Sequence, residues 1–96
     1  MLPTARLLKS HVTLYTKPLC GLCVNAKNNL SRAWDIAPED KKFDYSEVDI
    51  SKKGNEQWWD LYAMDVPVVH VQNSDRTIKF MHHIEPSHIV RELESE

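Results

Sequence analysis

The chain has 96 residues, 42% of them apolar and 27% charged, and a net charge of −2, enough for one small core but not two. No apolar run approaches the roughly 20 residues needed to cross a bilayer, and no repeat or low-complexity tract is present. Two cysteines are too few for a disulfide-stapled secreted scaffold, and a slightly acidic chain without an aromatic-and-basic stripe does not suit nucleic acid.

Residues 1–10 hold Arg6 and Lys9 and no acid, which gives them a faint likeness to a mitochondrial presequence. They are read as an N-terminal extension to one domain spanning 11–94. His11 to Thr16, with Val12 and Leu14 alternating against threonines and Tyr15, predicts a first strand. Lys17-Pro18 ends it, because proline lacks a ladder donor and holds its predecessor extended. From Cys23 the positions Ala26, Leu30, Ala33 and Trp34 recur at helical spacing and predict a first helix of about three turns. Asp35 to Lys42, with Pro38 inside, is a polar connection. Phe43 to Ile50 predicts a second strand whose alternation slips between Tyr45 and Val48, through a bulge or through burial on both faces.

Ser51 is placed to cap a second helix that buries Trp58, Leu61 and Tyr62. Val66-Pro67 leads into a strand from Val68 to Val71. A polar turn, Asn73 to Arg76, precedes a strand from Thr77 to Phe80 with Ile78 and Phe80 on one face. Pro86 suits the first position of a closing helix whose core stripe is Ile89, Val90 and Leu93. The first crossover is long enough for a parallel connection, whereas the last two strands are joined by a turn and are antiparallel. The expected fold is therefore α/β, βαβαββα, a mixed four-stranded sheet with helices on both faces.

The chemistry concentrates in Cys20-Gly21-Leu22-Cys23, at the junction of the first strand and first helix. Thiol–disulfide exchange needs a thiolate to attack and a second thiol to resolve the mixed disulfide. Cys20 falls beside the unpaired N–H groups and positive dipole end of the helix, which lower a cysteine pKa from about 8.5 into roughly the 3.5–7.5 range. Lys17 adds a positive neighbour. Before Asp35 there are five basic residues and no acid, leaving seven basic against 14 acidic residues in the remainder. That bias is either a solvated face or a field that favours thiolate. Cys20 is the expected nucleophile. Cys23, on the face that continues through Ala26 and Leu30, is the more buried resolving thiol.

Two rivals stand beside this reading: a pair of ordinary buried cysteines, and a zinc site drawing on His82, His83 and His88. Elsewhere, one indole of Trp58-Trp59 is expected to face the core. Met64 and Met81 are expected as core filler, and His11, His70 and His88 as satisfied surface or edge residues. Lys41-Lys42 and Lys52-Lys53 are read as solvated ends of elements.

From His11 to Leu93 the chain resembles the thioredoxin superfamily, and more closely its glutaredoxin-like members. The resemblance rests on Lys17-Pro18-Leu19-Cys20-Gly21-Leu22-Cys23 after a strand, on Glu47-Val48-Asp49-Ile50, and on Val66-Pro67-Val68-Val69. It implies a cis Pro67 beside the cysteines and a Val66 that offers its backbone to an extended peptide or to glutathione, a small case of strand addition. It places Lys17 where many glutaredoxins carry a lysine. Gly21 departs from the family's proline, Leu14 stands where thioredoxins bury an aspartate, and His82-His83 replace the Gly-Gly before the last helix. Those imidazoles either close the approach of glutathione or, protonated, hold an anionic ligand.

The reading is a glutaredoxin-like disulfide oxidoreductase: catalytic Cys20 and Cys23, substrate-binding Lys17, Val66 and Pro67, no metal. Exchange itself needs no cofactor; glutathione or a protein reductase recycles the pair. Protein or small-molecule disulfides are the expected partners, without nucleic acid or membrane, in the cytoplasm or the mitochondrial matrix. The alternative is a non-catalytic module on the same fold, either an adaptor or an iron–sulfur cluster holder.

Overall fold

The structure is a computed structural model that describes residues 10–73 and 76–94. The rest of the N-terminal extension and the middle of the polar turn, Ser74 and Asp75, lie outside the described residues. The elements run β1 (His11–Thr16), α1 (Gly21–Ile36), β2 (Asp44–Asp49), α2 (Glu56–Tyr62), β3 (Val68–Gln72), β4 (Thr77–Met81) and α3 (Pro86–Glu94), with a 3-10 turn at Glu39–Lys41. This is the expected βαβαββα order.

The sheet order is β2-β1-β3-β4. β1 pairs parallel with β2 and antiparallel with β3, and β3 pairs antiparallel with β4. Because side chains alternate along a strand, the pairing sorts two faces. Val12 lies opposite Val71 and Leu14 opposite Val69, and these four enter a core with Ala26, Leu30 and Ala33 of α1 and with Ile89 and Leu93 of α3. Tyr15 lies opposite Val68 on the other face, in a second core with Cys23, Ile50, Tyr62 and Val66. The helices thus cover both faces of a mixed four-stranded sheet. A buried polar pair closes the far end, where Ser10 Oγ donates to Asn73 Oδ1 at 2.6 Å.

Several local expectations are corrected. β2 has neither a bulge nor two-sided burial: its register against β1 is continuous and none of its residues is buried. It is an edge strand, and its anchors sit just beyond its ends, Phe43 in the first core and Ile50 in the second. Seven residues apart in an extended run, those two face opposite sides, so no single alternation could hold both. α1 is longer than predicted and Trp34 is 43% exposed rather than core. Its indole donates to the Phe43 carbonyl at 3.2 Å, with the Lys42 ammonium 4.3 Å from the ring centroid. Lys42 is not simply solvated: it also donates to the Trp34 and Ala37 carbonyls, which satisfies the open end of the helix.

α2 begins at Glu56, so Ser51 does not cap it. Ser51 instead donates its N–H and hydroxyl to Asp49 Oδ1, at 2.9 and 2.6 Å. The chain then turns through Gly54, whose φ of 98° favours glycine. On α2 only Tyr62 is buried; Trp58 packs against the second core and Leu61 is 61% exposed. Trp59 is the partly exposed indole of the pair. Met64 and Met81 are not filler, being exposed at 91% and 40%.

Candidate functional site

α1 starts immediately after Cys20, which has extended backbone angles and stands as its N-cap. Its sulfur accepts the Cys23 N–H at 3.2 Å, where a serine or aspartate oxygen commonly sits. No acidic residue lies in the first turn to oppose the dipole. Cys20 and Cys23 are joined as a disulfide, with their Cα atoms 5.2 Å apart. Cys23 is 3% exposed on the stripe that continues through Ala26 and Leu30, whereas Cys20 is half-buried. One sulfur is therefore reachable and its partner is sheltered.

The second wall is the segment from Ala63 to Pro67. Cys23 and Val66 belong to the same packed cluster, against which Cys20 rests. The Val66-Pro67 bond is cis. The Val66 N–H is taken up within the protein, donating to the Tyr62 carbonyl at 3.0 Å. Lys17 donates to the Ala63 carbonyl at 2.8 Å and lies 5.7 Å from the Trp59 ring centroid. Its ammonium ties the end of β1 to the segment that delivers Val66 and Pro67. Leu19, just before Cys20, takes a left-handed φ of 59° with its side chain fully exposed. For a leucine that conformation costs on the order of 1 kcal/mol.

His82 closes the third side. Its N–H donates to the Pro67 carbonyl at 2.8 Å, and its φ is 65°. The chain thus keeps, at a histidine, a backbone shape that favours glycine. His82 Nε2 lies 3.7 Å from Asp65 Oδ1. Between this loop and α1 runs a polar groove of about 210 Å³, bordered by Leu22 of the motif, three asparagines and Arg32. A second groove, about 320 Å³, lies away from the cysteines against Trp34, Phe43 and Tyr45. Among the described residues, no three His, Cys, Asp or Glu side chains are grouped to hold a metal ion.

One group that the sequence reading set aside is bound into the site's support. His70 lies on central β3, its ring 4.7 Å from Tyr15, and its Nε2 shares a 2.9 Å hydrogen bond with the Tyr62 hydroxyl. Burial, and then the Lys79 charge, hold its pKa below the ordinary histidine value. The clue in the sequence was its spacing of two from Val68, which puts both on the face that α2 covers. His11, expected as a satisfied edge residue, meets Ser46 Oγ at 2.9 Å.

Strand, Cys-x-x-Cys, helix and a cis-proline loop arranged in this order define a thioredoxin-fold protein with a redox-type cysteine pair. The chain belongs to the glutaredoxin-like domain family (DUF836), whose model matches residues 11–94. It is similar to the "Glutaredoxin-like protein YDR286C homolog" of Dictyostelium discoideum, 32% identical over 85 residues, 88% of this chain and 76% of that protein. Among solved structures it superimposes on a chloroplastic thioredoxin z with a TM-score of 0.74 at 11% identity, over 97% of this chain and 82% of the other. Thioredoxin O2 of Arabidopsis thaliana gives 0.67 at 16% identity, over 92% and 75%. These structural likenesses carry the fold. Among the described residues no helix is long and apolar enough to cross a membrane.

Proposed function

We propose that the protein is a thiol–disulfide oxidoreductase in which Cys20 attacks and Cys23 resolves. In the reduced protein the Cys20 thiolate attacks a substrate disulfide RS–SR′, forms Cys20–S–S–R and expels R′S⁻, which takes up a proton. Cys23 then loses its proton, attacks the Cys20 sulfur and expels RS⁻. The Cys20–Cys23 disulfide remains, the form present in the structure. Two electrons from an external thiol, such as two glutathione molecules or a protein dithiol, restore the pair. Protein or small-molecule disulfides are the substrates, received beside the Val66 carbonyl and Pro67, with Lys17 holding that segment in place.

The observation that carries this reading is the Cys20 sulfur at the N-cap, half-buried and accepting the Cys23 N–H. There an anion gains from an oriented donor and from the helix dipole. The test is a pair of variants assayed on a chromogenic disulfide. Cys20→Ser should abolish turnover, and Cys23→Ser should accumulate a mixed disulfide on Cys20, visible by mass. A Cys20→Ser protein that reduces the substrate at the parent's rate would overturn the assignment.

A further inference from the structure

The wall opposite the cysteines hangs from one residue. Tyr62 ends α2, and its carbonyl accepts both the Asp65 N–H at 2.9 Å and the Val66 N–H at 3.0 Å. Where Tyr62 stands therefore decides where Val66 and Pro67 stand. α2 has only seven residues, too few to form a stable helix alone, and Tyr62 is its one buried side chain. The Tyr62 ring packs on Tyr15 with centroids 5.3 Å apart and stacks on Trp58 at 6.0 Å. Apolar packing of this kind is weakly directional. The 2.9 Å hydrogen bond between the Tyr62 hydroxyl and His70 Nε2 is the contact that fixes distance and direction. His70 is a firm anchor, because β3 is paired on both sides there, with Thr13 of β1 and Lys79 of β4. β3 itself begins at Val68, directly after Pro67. The bond thus closes a circuit around the wall, from Tyr62 through Val66-Pro67 and β3 to His70 and back.

Resting on the reading of Cys20 and Cys23 as a redox pair, we propose that Tyr62 and His70 are positioning residues for that reaction. Their hydrogen bond sets where the Val66-Pro67 wall stands, and so how tightly a substrate disulfide is held, without altering the Cys20 thiol. An apolar residue at 70 would fill space against Tyr15 but leave the Tyr62 hydroxyl without its partner, which costs free energy at a sheltered site. The Cys20 sulfur draws on other groups, the Cys23 N–H and the start of α1, so its activation does not pass through Tyr62. Lys17 holds the next carbonyl along, that of Ala63, from the end of β1. Two successive carbonyls at the close of α2 are therefore set by groups that belong to the central strands.

The test is single turnover of a mixed disulfide between thionitrobenzoate and a cysteine-containing peptide by the reduced protein, followed over substrate concentration. Tyr62→Phe keeps the ring and removes the hydroxyl. Its half-saturating concentration should rise about fivefold, as expected for the loss of one hydrogen bond, with the limiting rate and the pH midpoint of Cys20 alkylation unchanged. His70→Leu should do the same, and the double variant should be no worse than either single one, because all three lack the same bond. His70→Gln, whose side-chain amide reaches the hydroxyl, should stay close to the parent. In the oxidised protein, Tyr62→Phe should speed hydrogen exchange at the Asp65 and Val66 amides and leave the β3 amides as they are. An unchanged half-saturating concentration, additive losses, or exchange that rises equally in β3 and the loop would overturn the proposal. If the parent does not reduce the disulfide, the redox reading fails instead, and hydrogen exchange alone decides. Faster loop amides then support the pair as the anchor of the wall, and unchanged ones reject it.

Discussion

A carboxylate placed at Leu22 separates the electrostatic account of Cys20 from a merely structural one. Leu22 is the second residue of α1, 41% exposed, in a first turn that lacks acids. Leu22→Glu would set a negative charge about 7 Å from the Cys20 sulfur, worth about 0.6 kcal/mol at the dielectric of water and about 1.2 at an effective value of ~40. At 1.36 kcal/mol per pH unit, the midpoint for Cys20 alkylation should rise by roughly 0.4 to 0.9 units. The same charge should favour the helix by about 0.3–1 kcal/mol, so the oxidised protein, which has no thiolate, should melt higher. One substitution thus moves thiol reactivity and fold stability in opposite senses. The assay is iodoacetamide labelling of the reduced protein across pH, read at Cys20 by peptide mass, at 10 mM and 1 M salt. At the higher salt, with a screening length of about 3 Å, the shift should nearly vanish. A parent midpoint at the free-cysteine value of about 8.5, or a variant shift that salt leaves untouched, would refute the reasoning.

Other outcomes follow from the packing. Leu30, 2% exposed in the first core, should cost about 2–5 kcal/mol as Leu30→Ala, read by urea unfolding; a loss below 1 would mean the core is not closed there. Gly21 has open space where a Cβ would stand, so Gly21→Ala should raise stability by about 0.4–1 kcal/mol in thermal unfolding. Because His70 is held below its ordinary value of 6.5, the unfolded chain binds a proton there in a window where the native chain does not. Stability should accordingly decline as pH falls through and below 6.5, and His70→Gln should flatten that part of the urea-midpoint profile. An unchanged slope in the variant would remove His70 as its source.

Much of this was legible before any coordinates. The threonine-rich alternation of β1, the helical recurrence from Cys23 to Ala33 and the stripe of α3 are local patterns, and each element formed where its pattern stood. What misled were apolar residues taken as core. Trp34, Leu61, Met64 and Met81 are all substantially exposed, because apolar character does not by itself require burial. β2 was hard to interpret because its position at the sheet edge belongs to the topology and not to its own six residues. His70 looked isolated for the same reason: the Tyr15 ring and Tyr62 hydroxyl beside it arrive from other elements.

The sequence by itself determined that a cysteine would cap a helix and that its partner would turn inward, since both depend on residues within one helical turn. Only the tertiary structure decided what surrounds them. Lys17 reaches the Ala63 carbonyl, the His82 N–H reaches the Pro67 carbonyl, and Asn29 holds Ile84, so the polar groove opens beside Leu22. Those bonds join residues 15 or more positions apart, and side-chain periodicity carries no information about partners at that range.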